Sequence, residues 1–158
     1  MSEDKVLKIN KIGDGIVIDH ISPGVSLDVL EVLKITGKEG MTVSLLMNVQ
    51  SGKVGTKDII KIEKKKLAKK DLDKISLVSP NATINVISNY EIREKFTVEI
   101  PQIVTGVIRC SNQNCVTNSK EPVQTLFQKE KSGDGEVFRC HYCDRTMSLP
   151  EVRKSIIR

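Results

Sequence analysis

The stretch GIVIDHI, residues 15–21, ends an apolar run with an aspartate and a histidine. β-Branched residues at period two read as a strand. On strict alternation Ile16, Ile18 and His20 point to one face, and Val17, Asp19 and Ile21 to the other. Each face then carries one polar group, and burying such a group unpaired costs about 1–3 kcal/mol. Either the strand end meets water or a ligand meets these groups. Ser22, Pro23 and Gly24 follow, so on this stretch alone a strand that ends at Ile18 and runs into a polar turn is the favoured reading.

Upstream, KVLKINKI (5–12) reads as a partner strand joined to GIVIDHI through Gly13-Asp14-Gly15. Downstream, VSLDVLEVLKI places Val29, Leu30 and Leu33 at helical spacing and stops at Gly37. MTVSLLMNV alternates Val43, Leu45, Met47 and Val49 on one face, and a turn at 50–53 leads to the strand KDIIKIE. A second helix follows in LAKKDLDKISLV, with Leu72, Ile75 and Val78 as its stripe and Pro80 as its stop. TINVIS and YEIREKF make a last strand pair around Ser88-Asn89. The order predicts an α+β fold, a ferredoxin-like antiparallel sheet with two helices on one face.

At Pro101 the pattern changes, and all four cysteines lie beyond it. The domain boundary is expected between Phe96 and Thr105, giving a first domain over 1–100 and a small, mostly-β second domain over 101–158. Cys110 and Cys115 are separated by four residues, Cys140 and Cys143 by two, with 24 residues between the pairs. Two short-spaced pairs can turn two loops around one ion, as tetrahedral thiolate coordination of Zn²⁺ requires. A segment of about 58 residues has little core of its own, whereas structural zinc supplies on the order of 10–16 kcal/mol. Four thiolates close the shell, so the site is structural, and His141 reads as a surface residue between two ligands.

The N-terminus MSEDKVLK has no apolar leader, and nowhere do eighteen apolar residues run together. The expectation is a cytoplasmic chain with reduced thiols and no membrane contact. A formal net charge of +5 favours an anionic partner. With two histidines, and no G-x-S-x-G, H-E-x-x-H or phosphate-loop motif, nothing assembles into a nucleophile and base. Enzyme activity is therefore not expected. The run KIEKKKLAKKDLDK leaves a zinc-containing RNA-binding protein as the alternative. Sheets of this type grip single strands with aromatic side chains, however, and the strands offer only Tyr90 and Phe96.

The segments GIVIDHI, SGKVGTKDIIKIE, PNATINVISNYEIREK, CSNQNCVTNSKEP and FRCHYC together resemble the regulatory chains of aspartate carbamoyltransferase. The resemblance implies a nucleotide-binding allosteric domain, a zinc domain that contacts the catalytic chain, a regulatory-chain homodimer, and an active site on the other polypeptide. It places CTP, ATP or UTP against Ile9, Ile12, Val17, Asp19, His20, Lys57, Lys61, Asn85, Ile87, Tyr90, Ile92 and Lys95. Backbone groups near Ile12 and Tyr90 would read the base edge. Asp19 and Lys61 would meet the ribose hydroxyls, His20 and Lys95 would face the triphosphate, and Lys57 would be a further anchor. Zinc would be held by Cys110, Cys115, Cys140 and Cys143.

Overall fold

A computed structural model describes residues 12–52, 55–120 and 123–157. Ile9 and nearly all of the strand expected at 5–12 lie outside the described residues. The N-terminal part contains β1 (Gly15–Ile21), α1 (Ser26–Val32), β2 (Val43–Gln50), β3 (Thr56–Glu63), α2 (Lys69–Val78), β4 (Thr83–Ser88) and β5 (Glu91–Thr97). The strands form one antiparallel sheet in the order β2-β3-β1-β4-β5. This is the expected ferredoxin-like arrangement, extended by β5 at one edge. Ile16 lies opposite Ile62 and Val86, and Ile18 opposite Ile60 and Ile84. These residues make the face that packs on Val29, Val32, Ile75, Leu77 and Val78 of the helices.

Two β-bulges correct the simple alternation. His20 takes φ 56, and the β1–β3 register jumps from Ile18↔Ile60 to Ile21↔Asp58. One extra residue therefore sits on β1. Ile21, expected beside Val17 and Asp19, turns into the core with Ile18, and His20 is left exposed. Asn48, φ 59, does the same on β2, where Leu46↔Ile59 is followed by Val49↔Lys57. Val43 and Leu45 keep the core face as expected. Met47 is exposed, and Val49 moves to the opposite face.

Between the two bulges lies Asp58, fully buried on β3. Its carboxylate accepts from the Ser26 hydroxyl at 2.6 Å and from the N–H groups of Gly24, Ser26 and Asn48 at 3.0, 3.3 and 2.9 Å. It thus holds the start of α1, which has no side-chain cap of its own, and the β2 bulge together. Burial would raise its pKa, but the Ser26 hydroxyl and the three N–H groups outweigh burial and hold it below the ordinary value of 3.8. Asp58→Ala is expected to cost on the order of 3 kcal/mol in urea denaturation, because several buried donors lose one charged acceptor. A depressed carboxyl pKa stabilises above the unfolded-state value and loses that contribution as pH falls through the folded one. The variant should accordingly lack the part of the wild-type acid transition that lies below about pH 4.

The C-terminal part contains β6 (Ile103–Thr105), β7 (Leu126–Ser132), β8 (Gly135–Cys140), β9 (Thr146–Ser148) and α3 (Leu149–Lys154). The strands form a second antiparallel sheet, β6-β7-β8-β9, around Val104, Phe127, Phe138 and Met147. This is the small, mostly-β unit expected beyond Pro101. The short helix α3 was not predicted. A capping box starts it, in which the Ser148 hydroxyl accepts from the Glu151 N–H while the Glu151 carboxylate accepts from the Ser148 N–H.

Candidate effector site and metal centre

Strand register lines up four of the expected ligands. Val17 of β1 lies opposite Lys61 of β3 on one side and Asn85 of β4 on the other, and Asn85 lies opposite Lys95 of β5. Ser44 of β2 extends the row beyond Lys61. All five occupy the sheet face opposite the helices. Neighbouring strands are about 4.8 Å apart, so Lys61 and Lys95 are separated by roughly 14 Å at the backbone. The two lysines thus stand on one face of the sheet with Val17 and Asn85 between them. Among the described residues neither lysine makes an ion pair. The Asn85 amide donates to the Val17 carbonyl at 3.3 Å, which fixes its orientation in the row.

Asp19 follows Val17 on the same face, next to the bulge. Lys57 Nζ sits 3.0 Å from its Oδ1, and the His20 N–H donates to the same oxygen at 2.6 Å. Lys57 therefore holds Asp19 in place in this state. His20 Nδ1 is 3.8 Å from Asp19 Oδ1, and its ring is half exposed. On a regular strand these neighbours would diverge. The left-handed backbone at His20 keeps the two side chains close together.

The opposite end of the face is apolar. Ile87 pairs with Gly15 and with Ile92 of β5. Ile12 is buried just before β1. The β4–β5 turn is at Asn89-Tyr90, one residue later than the expected Ser88-Asn89, with φ 52 and 64, the backbone of a type I′ hairpin. A tyrosine in that conformation is strained by about 1–3 kcal/mol. Tyr90 is 72% exposed and Ile92 58%. The Tyr90 N–H donates to the Gly13 carbonyl at 3.0 Å, and a Cβ on Gly13 would lie 3.1 Å from Tyr90 Cζ. A strained, exposed aromatic over a glycine suits ligand contact better than stability. Tyr90→Gly is expected to raise thermal stability while weakening nucleotide binding, two opposite shifts that calorimetry reads on one sample.

In the C-terminal unit the four sulfur atoms lie within 4.8 Å of one another. Cys110 and Cys143 are 3.6 Å apart at Sγ, Cys115 and Cys140 3.8 Å. A tetrahedron with metal–sulfur bonds of about 2.3 Å has edges of about 3.8 Å, so these separations fit one Zn²⁺ and are far too long for disulfides. Burial pushes the Cys110 thiol up to about 12 and raises that of Cys140. Burial also opposes ionisation of Cys143, but bonds from the Arg145 backbone and from Asn112 bring it down to about 7. A buried cluster of this kind needs a dication to become four thiolates. The Thr117 hydroxyl donates to Cys115 Sγ at 3.2 Å, and the Asn118 amide donates to the carbonyls of Cys110 and Asn112. Both stiffen the first loop. His141 is exposed in edge contact with Tyr142 and is not part of the cluster.

Two polar groups of the sheet were missed from sequence. Asp58 shares the parity of Ile60 and Ile62, and a carboxylate on a core face requires partners, so its signal was present. Ser44 carried none, because its place in the row depends on long-range register.

The fold and its sulfur cluster define a metal-binding module, with no nucleophile–base pair among the described residues. Residues 7–99 match the aspartate carbamoyltransferase regulatory chain, allosteric domain, and residues 102–153 match the metal binding domain of the same chain. Regulatory chains of this name from Thermoplasma volcanium and Thermoplasma acidophilum are 53% and 49% identical, over 95% and 94% of this chain and 98% of each relative. That of Pyrococcus abyssi is 48% identical over 92% of this chain and 95% of its own. The chain belongs to the aspartate carbamoyltransferase regulatory-chain family. It is a non-catalytic subunit, and catalysis lies on a separate chain. The family's ion is zinc.

Proposed function

We propose that this chain senses CTP, ATP and UTP for pyrimidine biosynthesis and passes their presence to aspartate carbamoyltransferase catalytic chains. The observation that carries this is the row Lys61–Val17–Asn85–Lys95, a cation at either end of a half-buried strip beside Asp19 and His20. Triphosphate oxygens would meet Lys95 and His20, the ribose would meet Asp19 and Lys61, and Lys57 would exchange its partner Asp19 for ligand. Ile12, Val17, Ile87, Tyr90 and Ile92 would enclose the base, with Ile9 from the preceding segment. The limits 1–100 and 101–158 separate the sensing domain from the one that holds zinc on the four cysteines and meets the catalytic chain.

Two regulatory chains would pair through the N-terminal domain. Among the described residues β2 is an edge strand, with Met47 exposed, and this supports such pairing. Effectors would act by binding two states of the assembly with different strength, and a coupling of about 1–3 kcal/mol shifts aspartate affinity roughly 5- to 150-fold. The compartment is the cytoplasm. No membrane partner is proposed; no helix among the described residues is long and apolar enough to cross one. RNA is disfavoured because Phe96 lies opposite Ile84, on the helix side, which leaves Tyr90 as the one aromatic of the strand pair on the open face. Calorimetric titration of the zinc-loaded chain with CTP, ATP and UTP tests the reading. One nucleotide per chain is expected. Indifference to all three, or salt-sensitive preference for a single-stranded oligonucleotide, would count against it.

A further inference from the structure

We infer that Arg153 is a positioning residue for allostery: by holding the C-terminal end of α2, it fixes the metal unit to the effector unit and carries the effector response between them. The inference rests on the effector reading above.

The last carbonyls of a helix have no partner within it, and they carry partial negative charge. α2 has no basic residue in its last turn. Arg153, from α3 of the other unit, supplies one, with Nε donating to the Leu77 carbonyl at 2.8 Å. Beside this bond lies a cavity of about 390 Å³ lined by Val25, Asp28, Val78, Arg153 and Lys154. The joint therefore includes a directional contact next to open space, beside apolar residues of both units that share one buried cluster. Such a contact can change partners without repacking a core.

Hydrogen bonds continue from this joint in both directions. The Ser22 N–H, two residues after His20, donates to Ser79 Oγ at 3.1 Å, just past the end of α2. This ties the effector-facing bulge to the helix end that Arg153 holds. On the other side the Arg109 N–H donates to the Ser155 carbonyl at 2.7 Å, and Ile157 donates to Val107 at 2.8 Å. Arg109 precedes the metal ligand Cys110 in the chain. At its other end α2 also meets the metal unit, since a Cβ on Gly106 would lie 2.9 Å from Lys70 Nζ. α2 thus approaches the unit it would move at both ends and is bonded to it at one. The quantity that reports on this role is the coupling itself.

The test uses the complex with the cognate catalytic chain, made with wild type, Arg153→Met, which keeps the stem and removes the guanidinium, and Ser79→Ala, which breaks the chain of bonds on the effector side. Zinc content, complex formation, and CTP and ATP affinity of the regulatory chain are expected to match wild type. The nucleotide-induced change in half-saturating aspartate is expected to fall below about twofold in Arg153→Met, from an ordinary coupling of roughly 5- to 150-fold, and to shrink in Ser79→Ala. If wild type responds and both variants respond equally, the inference fails alone. If wild type itself binds no nucleotide, the effector reading fails and the inference falls with it.

Discussion

Stripping the metal from this chain, by chelation or by Cys140→Ser, is expected to unfold the C-terminal unit and end its association with catalytic chains. The two loops that carry the cysteines meet at the sulfur cluster, where paired Sγ atoms are 3.6 and 3.8 Å apart. Without a cation, burial favours protonated thiols at Cys110 and Cys140, which can neither bridge the loops nor replace four metal bonds. The sheet beneath is small, with Phe127, Phe138, Met147 and Val104 as its main buried side chains. Such a core does not match the on the order of 10–16 kcal/mol that a structural zinc contributes. Circular dichroism should show partial loss of structure, and sedimentation should show free catalytic chain. The Ile16–Ile18–Ile60–Ile62 core of the first sheet does not involve the metal and should persist. A metal-free chain that keeps its native spectrum and its complex would refute this account of the site.

Removing the two lysines that end the cross-sheet row is expected to abolish effector binding and leave the fold intact. An ammonium about 4 Å from a unit charge is worth roughly 4 kcal/mol at an effective dielectric of 20, before desolvation. Hydrogen bonds to charged groups retain about 1.5–3 kcal/mol net. Lys61→Ala and Lys95→Ala should therefore each weaken CTP binding about 10- to 100-fold. Their backbones are roughly 14 Å apart and would meet different parts of the ligand, so the effects should nearly add. Lys95 is exposed and Lys61 half-buried, and neither pairs with an acid among the described residues. Stability should stay within about 0.5 kcal/mol. A double variant that binds CTP like wild type would remove the row from the site.

Much of the fold was legible because it is written in local periods. Ile16 and Ile18 of GIVIDHI and Ile60 and Ile62 of KDIIKIE alternate as they do in the folded sheet, and Val29 with Ile75 and Val78 marks the helices. The bulges were not legible. Nothing in the periodicity around His20 or Asn48 marks a left-handed backbone; the Asn48 bulge is held by Asp58, a residue distant in sequence that also collects donors from Gly24 and Ser26. Strict alternation accordingly misplaced Ile21, Met47 and Val49. α3 was missed because one helical turn and a half gives too little periodicity, although Ser148 and Glu151 spell its cap. The four cysteines were legible from spacing alone. The effector row was reached through family resemblance, since its members are adjacent only through strand register. Arg153 is a different case, since a cation near a chain end carries no mark of the distant helix it caps.

Aspartate saturation of the complex between this chain and its cognate catalytic chain, recorded with and without CTP, ATP and UTP, tests the central claim most directly. The account predicts that the half-saturating aspartate concentration moves when at least one nucleotide is present, and that isolated catalytic chain shows no such movement. Identical saturation curves under every nucleotide, from a complex shown to contain both chains and its zinc, would contradict it.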